Sequence, residues 1–217
     1  MTWRRTRVNK QTRSITINQL TLSEKYVALA LNDKGKLSFL KSHQNGVYIT
    51  SVLELYENHV FELEGGVKGT VSVNALPDSL AETRALYDFV KAKEGEKFIK
   101  VLKAFVGNPL QAQPRKDLVK DVMDSAAKKG IGEDEVQAIV KRMRDQLTKV
   151  DDVESMVLIK VLFELHFIKK HFSKDEAREL KQLVKSTDQG YSEEIKDMMK
   201  LIDSLAVVGG LVGAGVV

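Results

Sequence analysis

Residues 153–172 read VESMVLIKVLFELHFIKKHF, and the placement of the apolar side chains in this run decides the fold class. Met156, Val157, Leu158, Ile159, Val161, Leu162, Phe163, Leu165 and Phe167 fall on nearly every side of a helix rather than along one stripe. A helix that is apolar all round has to be surrounded by other elements. Lys160, Glu164, His166 and Lys169 interrupt the run before it offers the roughly 20 apolar residues that a bilayer span needs. The segment is therefore expected to be the central core helix of a bundle.

Working outward, Ser173-Lys174-Asp175-Glu176 and Thr21-Leu22-Ser23-Glu24 are capping boxes, in which the hydroxyl accepts from the N3 amide while the glutamate accepts from the N-cap amide. The first opens a helix over 175–185. The second opens a helix in which Leu22, Tyr26, Val27, Leu29, Ala30 and Leu31 predict burial on most sides, stopped at Asn32-Asp33-Lys34-Gly35. A polar loop through 42–46 and a short second helix carrying Ile49, Val52, Leu53, Leu55 and Tyr56 are expected next. The period then changes to two: 59–63 and 67–73 flank Gly65-Gly66, which predicts a hairpin. Further helices are expected over 78–92, 96–105, 115–128, 133–149, 153–172 and 193–205, with Gly95, Gly107-Asn108-Pro109, Gly130, Gly132 and Gly190 as breaks. The fold class that results is mainly α: a compact single-domain helical bundle around a buried central helix, with one β-hairpin near 59–74. A chain of 217 residues, 43% of them apolar, is long enough to bury such a core.

The chain has no cysteine, so disulfides and thiolate chemistry are absent and a reducing compartment, the cytoplasm, is the expectation. His43, His59, His166 and His171 lack metal-ligand spacing, and no phosphate-cradling loop or nucleophile elbow occurs. No catalytic residue, cofactor or metal is expected. Acid clusters such as Glu133-Asp134-Glu135 and Asp151-Asp152 stand at helix starts, where the macrodipole favours anions.

Net charge is unevenly placed. Residues 1–13 hold Arg4, Arg5, Arg7, Lys10 and Arg13 and no acid, against a chain total of +4, so the remainder carries −1. Residues 1–19 are thus expected to form a flexible basic arm on a helical domain spanning 20–217. Trp3 beside the arginines couples an indole suited to a membrane interface with groups that pair phosphates. A second basic cluster, Arg115, Lys116 and Lys120, places Lys116 and Lys120 one helical turn apart. The same arm could serve a protein or nucleic-acid partner, and a helix–helix–hairpin order invites comparison with a winged helix. The helix over 48–56, however, carries no arginine or lysine and includes Glu54, which disfavours groove binding. The closing stretch LAVVGGLVGAGVV, residues 205–217, is too short to span a bilayer and is expected to pack on the core or dip into a membrane.

LTLSEKYVALALNDKGKLSF (20–39), VLELYENHVFEL (52–63), FVGNPL (105–110), KKGIG (128–132) and the run 153–185 together resemble, in order and spacing, the Golgi phosphoprotein 3 family. The resemblance implies a compact helical fold with a hairpin and a basic N-terminal arm. It also implies a non-catalytic adaptor that binds phosphatidylinositol 4-phosphate at the cytoplasmic membrane face. At the family's headgroup positions this chain has Leu40 or Lys41 in place of a tryptophan, Tyr48 in place of an arginine, and Lys116 with Val119 or Lys120 in place of two arginines. The family's apolar inserting hairpin is replaced by Gly132-Glu133-Asp134-Glu135, as in a short prokaryotic-type member. The expected function is that of a peripheral protein on anionic phospholipid, with Lys41, Tyr48, Arg115, Lys116 and Lys120 as headgroup candidates. The alternative is a cytoplasmic adaptor that binds a protein or nucleic-acid partner through the arm.

Overall fold

The computed structural model describes residues 17–32, 37, 41–107, 112–186 and 193–208. Trp3, Arg4, Arg5, Arg7, Lys10, Arg13 and the glycine-rich residues 209–217 lie outside the described residues, and of Lys41 only its place at a helix start is described.

A 3-10 turn, Ile17–Gln19, leads into helix α1, Leu22–Ala30. Thr21 and Glu24 form the expected capping box, with the Thr21 amide donating to Glu24 Oε2 at 2.8 Å. All nine residues of α1 are buried. Its far end is closed by Lys170 Nζ and His171 Nε2, each 2.8 Å from the Leu29 carbonyl, which places donors where a helix leaves its last carbonyls unpaired.

Helix α2 spans Lys41–Glu57, so the stretch 42–46, expected as a loop, is helical. Gly46 makes this possible: a Cβ there would stand 2.0 Å from Cζ of the fully buried Tyr26, whose hydroxyl donates to the His43 carbonyl at 3.1 Å. The glycine is a notch in α2 into which the Tyr26 ring of α1 fits, and α2 is buried without interruption over 45–55.

Strands β1, Phe61–Glu64, and β2, Thr70–Val73, pair antiparallel with Phe61 opposite Val73 and Glu64 opposite Thr70. The chain between them is tight enough that a Cβ on Gly69 would lie 1.7 Å from the Glu64 carbonyl oxygen. The outer edge of β2 is covered by the segment that follows, where Gly95 donates to Val71 at 2.8 Å and Phe98 to Gly69 at 2.9 Å; a covered edge is unavailable for pairing with another chain.

The remaining helices are α3, Arg84–Lys91; α4, Phe98–Gly107; α5, Ala112–Lys128; α6, Glu133–Asp145; α7, Val153–Glu164; α8, Lys174–Lys185; and α9, Glu193–Val208. The predicted helix over 78–92 divides into a 3-10 segment, Asp78–Thr83, and α3, because Leu80 leaves helical geometry at φ −116° and ψ 23°. The predicted helix over 153–172 likewise ends at Glu164 and is followed by a 3-10 turn, Ile168–Lys170. His166 has φ 61°, its amide donates to Phe163 and the Phe167 amide to Leu162. That pair of bonds around a left-handed residue is a Schellman ending. Helix α7 is buried from Ser155 to Ile159 and again at Val161 and Leu162. It packs against α6, α8 and α9, while α1 packs against α2, α5 and α6. Apolar residues from all nine of these helices and from the hairpin join in one core.

Candidate functional site

Three consecutive polar residues, Ser23, Glu24 and Lys25, lie in the wholly buried α1. Burying charge without partners is costly, and the structure supplies a partner from a different element for each. Lys25 pairs with Glu154 of α7. Glu24 accepts from Ser125 Oγ at 2.7 Å and Lys129 Nζ at 2.6 Å, both contacts at the C-terminal end of α5. Ser23 Oγ donates to Glu54 Oε2 at 2.7 Å, and the Leu22 amide donates to Glu54 Oε1 at 2.8 Å. Burial pushes the Glu54 carboxyl up to about 7, against the pull of the Ser23 and Leu22 hydrogen bonds.

Glu82, on the 3-10 segment before α3, joins this cluster: its charge acts on Glu54, and those of Glu24 and Lys129 act on it. Glu82 is 8% exposed, and its Oε1 is buried without a hydrogen-bond partner. Burial again raises its carboxyl above the ordinary range. Glu54 and Glu82 line a cleft of about 930 Å³ that opens between the start of α1, the segment 78–82 and one face of α5. Six carboxylates and three lysines line it. Two of those lysines are engaged within the cluster, Lys129 by Glu24 and Lys120 by Asp124, both at 2.6 Å. Asn18 and Gln19, where the chain enters from residues 1–16, form part of the rim. Among the described residues no group of three or more His, Cys, Asp or Glu side chains is arranged to hold a metal ion.

The headgroup candidates fall into two groups. Tyr48 is 7% exposed, its ring meeting Phe105 edge-on at 5.8 Å between centroids. Burial raises its phenol against the opposing charge of Arg115. Arg115 donates to the Phe105 carbonyl at 2.9 Å and to that of Val106, so its guanidinium caps the end of α4. Tyr48 and Arg115 thus meet at Phe105, with Lys116 exposed next to Arg115 in sequence. Lys120 faces the cleft instead, where Asp124 holds it and Asp121 and Asp117 add negative charge. In sequence, Glu24 reads as a cap and Glu54 as a mark against nucleic acid; the signal for the cluster is charge inside helices otherwise apolar on all sides. No protein-family model matches the chain, and no curated protein matches it.

Proposed function

We propose that the protein is a non-catalytic peripheral adaptor that attaches to anionic phospholipid, with the arm as its main contact. The observation that carries this reading is charge segregation: five cations and Trp3 stand in residues 1–13 without an acid, on a body of net −1. Two further features support it. The mainly helical body with a single hairpin is the fold that the Golgi phosphoprotein 3 resemblance implies, and among the described residues no helix is long and apolar enough to cross a membrane. Each cation near an anionic leaflet contributes at most about 1 kcal/mol, so the arm alone supports weak, salt-sensitive attachment. Exposed Lys116, beside the Arg115 cap, is the body's contribution at the same surface. Phosphatidylinositol 4-phosphate is the headgroup the resemblance suggests, and the exposed Lys116 is the α5 candidate that would read it.

Against a winged-helix role, the helix that would enter a groove is buried over 45–55. Co-sedimentation with neutral, phosphatidylserine-containing and phosphatidylinositol 4-phosphate-containing vesicles over a salt series tests the proposal. Binding to both anionic sets that fades with salt, and is lost in the R4S/R5S/R7S variant, is expected. A preference for the phosphoinositide that K116S removes would assign headgroup reading to α5. Absence of vesicle binding at low salt with retained binding to duplex DNA would replace the membrane by a nucleic-acid partner.

A further inference from the structure

The cluster of Glu24, Glu54 and Glu82 is short of one cation. Glu24 has Lys129 and Ser125, and Glu54 has the Leu22 amide and the Ser23 hydroxyl. The Glu82 carboxylate has hydrogen bonds from the Thr21 hydroxyl and from backbone, but no cation among the described residues is paired with it, and its Oε1 is buried without a hydrogen-bond partner. A buried carboxylate oxygen without a donor costs free energy that a matching N–H group would recover, and a charged donor recovers more than a neutral one. The side of the cleft formed by α5 adds Asp121, which has no ion pair with another described residue. The carboxylates do not converge as metal ligands do, so the shape asks for donors spread over several ångströms instead of a point charge.

We infer that this cleft is a binding site for an organic cation, a guanidinium or alkylammonium group, whose N–H donors reach Glu82 at its inner end and Asp121 at its rim. The chemistry has two sources. One is an arginine of residues 4–13, since the chain enters the described structure at Ile17 beside the rim residues Asn18 and Gln19. The other is a free polyamine or guanidino compound. A bound cation favours the ionised form of the carboxylates it faces. Glu54 and Glu82 both have carboxyls raised by burial, the first to about 7. The charged groups around them are Glu24 on α1, Lys120, Asp121, Asp124 and Lys128 on α5, Lys129 just past its end, Asp78 on the 3-10 segment and Glu154 on α7. Binding therefore releases protons and tightens as pH rises through the raised range of these carboxyls, about 7 for Glu54.

Calorimetric titration of the full chain with agmatine and with spermidine tests this, in the wild type and in a variant with Arg4, Arg5, Arg7, Lys10 and Arg13 changed to Ser. Saturable binding that Glu82→Gln weakens at least tenfold, and that strengthens with pH, is expected. Should Glu82→Gln fail to fold, Asp121→Asn on the rim carries the same test, with a smaller loss expected. Tighter binding in the arm variant than in the wild type makes the arm the resident cation; equal binding makes a free cation the ligand. Either result upholds the site. No binding to the arm variant at low salt, or binding that neither Glu82→Gln nor Asp121→Asn alters, overturns it. The readout is independent of vesicles, so the membrane proposal can fail while the cleft stands, and the reverse.

Discussion

Glu54 shows how one side chain sets the pH response of the fold. Its carboxyl moves from 4.5 to about 7 on folding, so between those values the folded chain holds more protons than the unfolded one. Stability from this residue is complete below 4.5, declines as pH rises and is gone above 7. The size of the decline is roughly 3 kcal/mol at most. His43 and His171, whose imidazoles burial holds below their ordinary 6.5, act in the other direction and lose stability as pH falls. The contribution of Glu54 is therefore best isolated as a difference. Urea unfolding of Glu54→Gln is expected to show a deficit of about 1 kcal/mol at pH 4.5, from the acceptor oxygen lost to Leu22 or Ser23. That deficit shrinks and reverses by pH 8. A difference that stays constant with pH would mean that Glu54 ionises as it does in water. This behaviour was not legible in sequence, because Glu54 sits in a run, SVLELYE, whose helical spacing is plain while its neighbours across space are not.

At the scale of elements, legibility followed the range of the signal. The boxes at Thr21 and Ser173 were readable because donor and acceptor lie three residues apart. The end of α7 escaped because it is a Schellman turn with histidine at the left-handed position, His166 at φ 61°. Helix α2 closes on the same kind of turn at His59, φ 54°, close to where the change of period puts its end, while the helix expected over 133–149 stops at Asp145. Glycine is the usual occupant and the usual punctuation mark, and its absence let α7 run on in the sequence reading to residue 172. His166→Gly is expected to raise stability by about 0.5–1 kcal/mol, since a side chain pays for left-handed geometry that glycine adopts freely; an unchanged or lower melting temperature would count against that cause. The start of α2 escaped for the opposite reason, since Gly46 reads as a loop residue and is in fact a packing notch. Gly46→Ala should cost roughly 3 kcal/mol or more, because the atom displaced is in the ring of the fully buried Tyr26; calorimetric melting close to wild type would show that the two helices separate easily.

For the molecule as a whole, the fold class was legible and the cleft was not. The run at 153–172 and the hairpin glycines were sufficient for a bundle with a small sheet. Glu24, Glu54 and Glu82 come from three separate elements, and only the packing of α1 against α2 and α5 brings them together. Charge is likewise distributed at the scale of the molecule, with cations concentrated in residues 1–13 and an acidic cleft beside the point where those residues join the body. Neutralising the arm should abolish attachment to vesicles in low salt, because five cations stand in residues 1–13 on a body of net −1.

The seat of Tyr26 in α2 has an optical consequence. Burial holds its phenol well above the ordinary tyrosine range, with the ring closed in by Gly46 and the hydroxyl committed to the His43 carbonyl. Hydroxide cannot take that proton while α1 lies on α2. In alkali, the late increment of tyrosinate absorbance that a Tyr26→Phe chain lacks becomes a clock for the parting of these two helices, the difference being needed because burial raises the Tyr48 phenol as well.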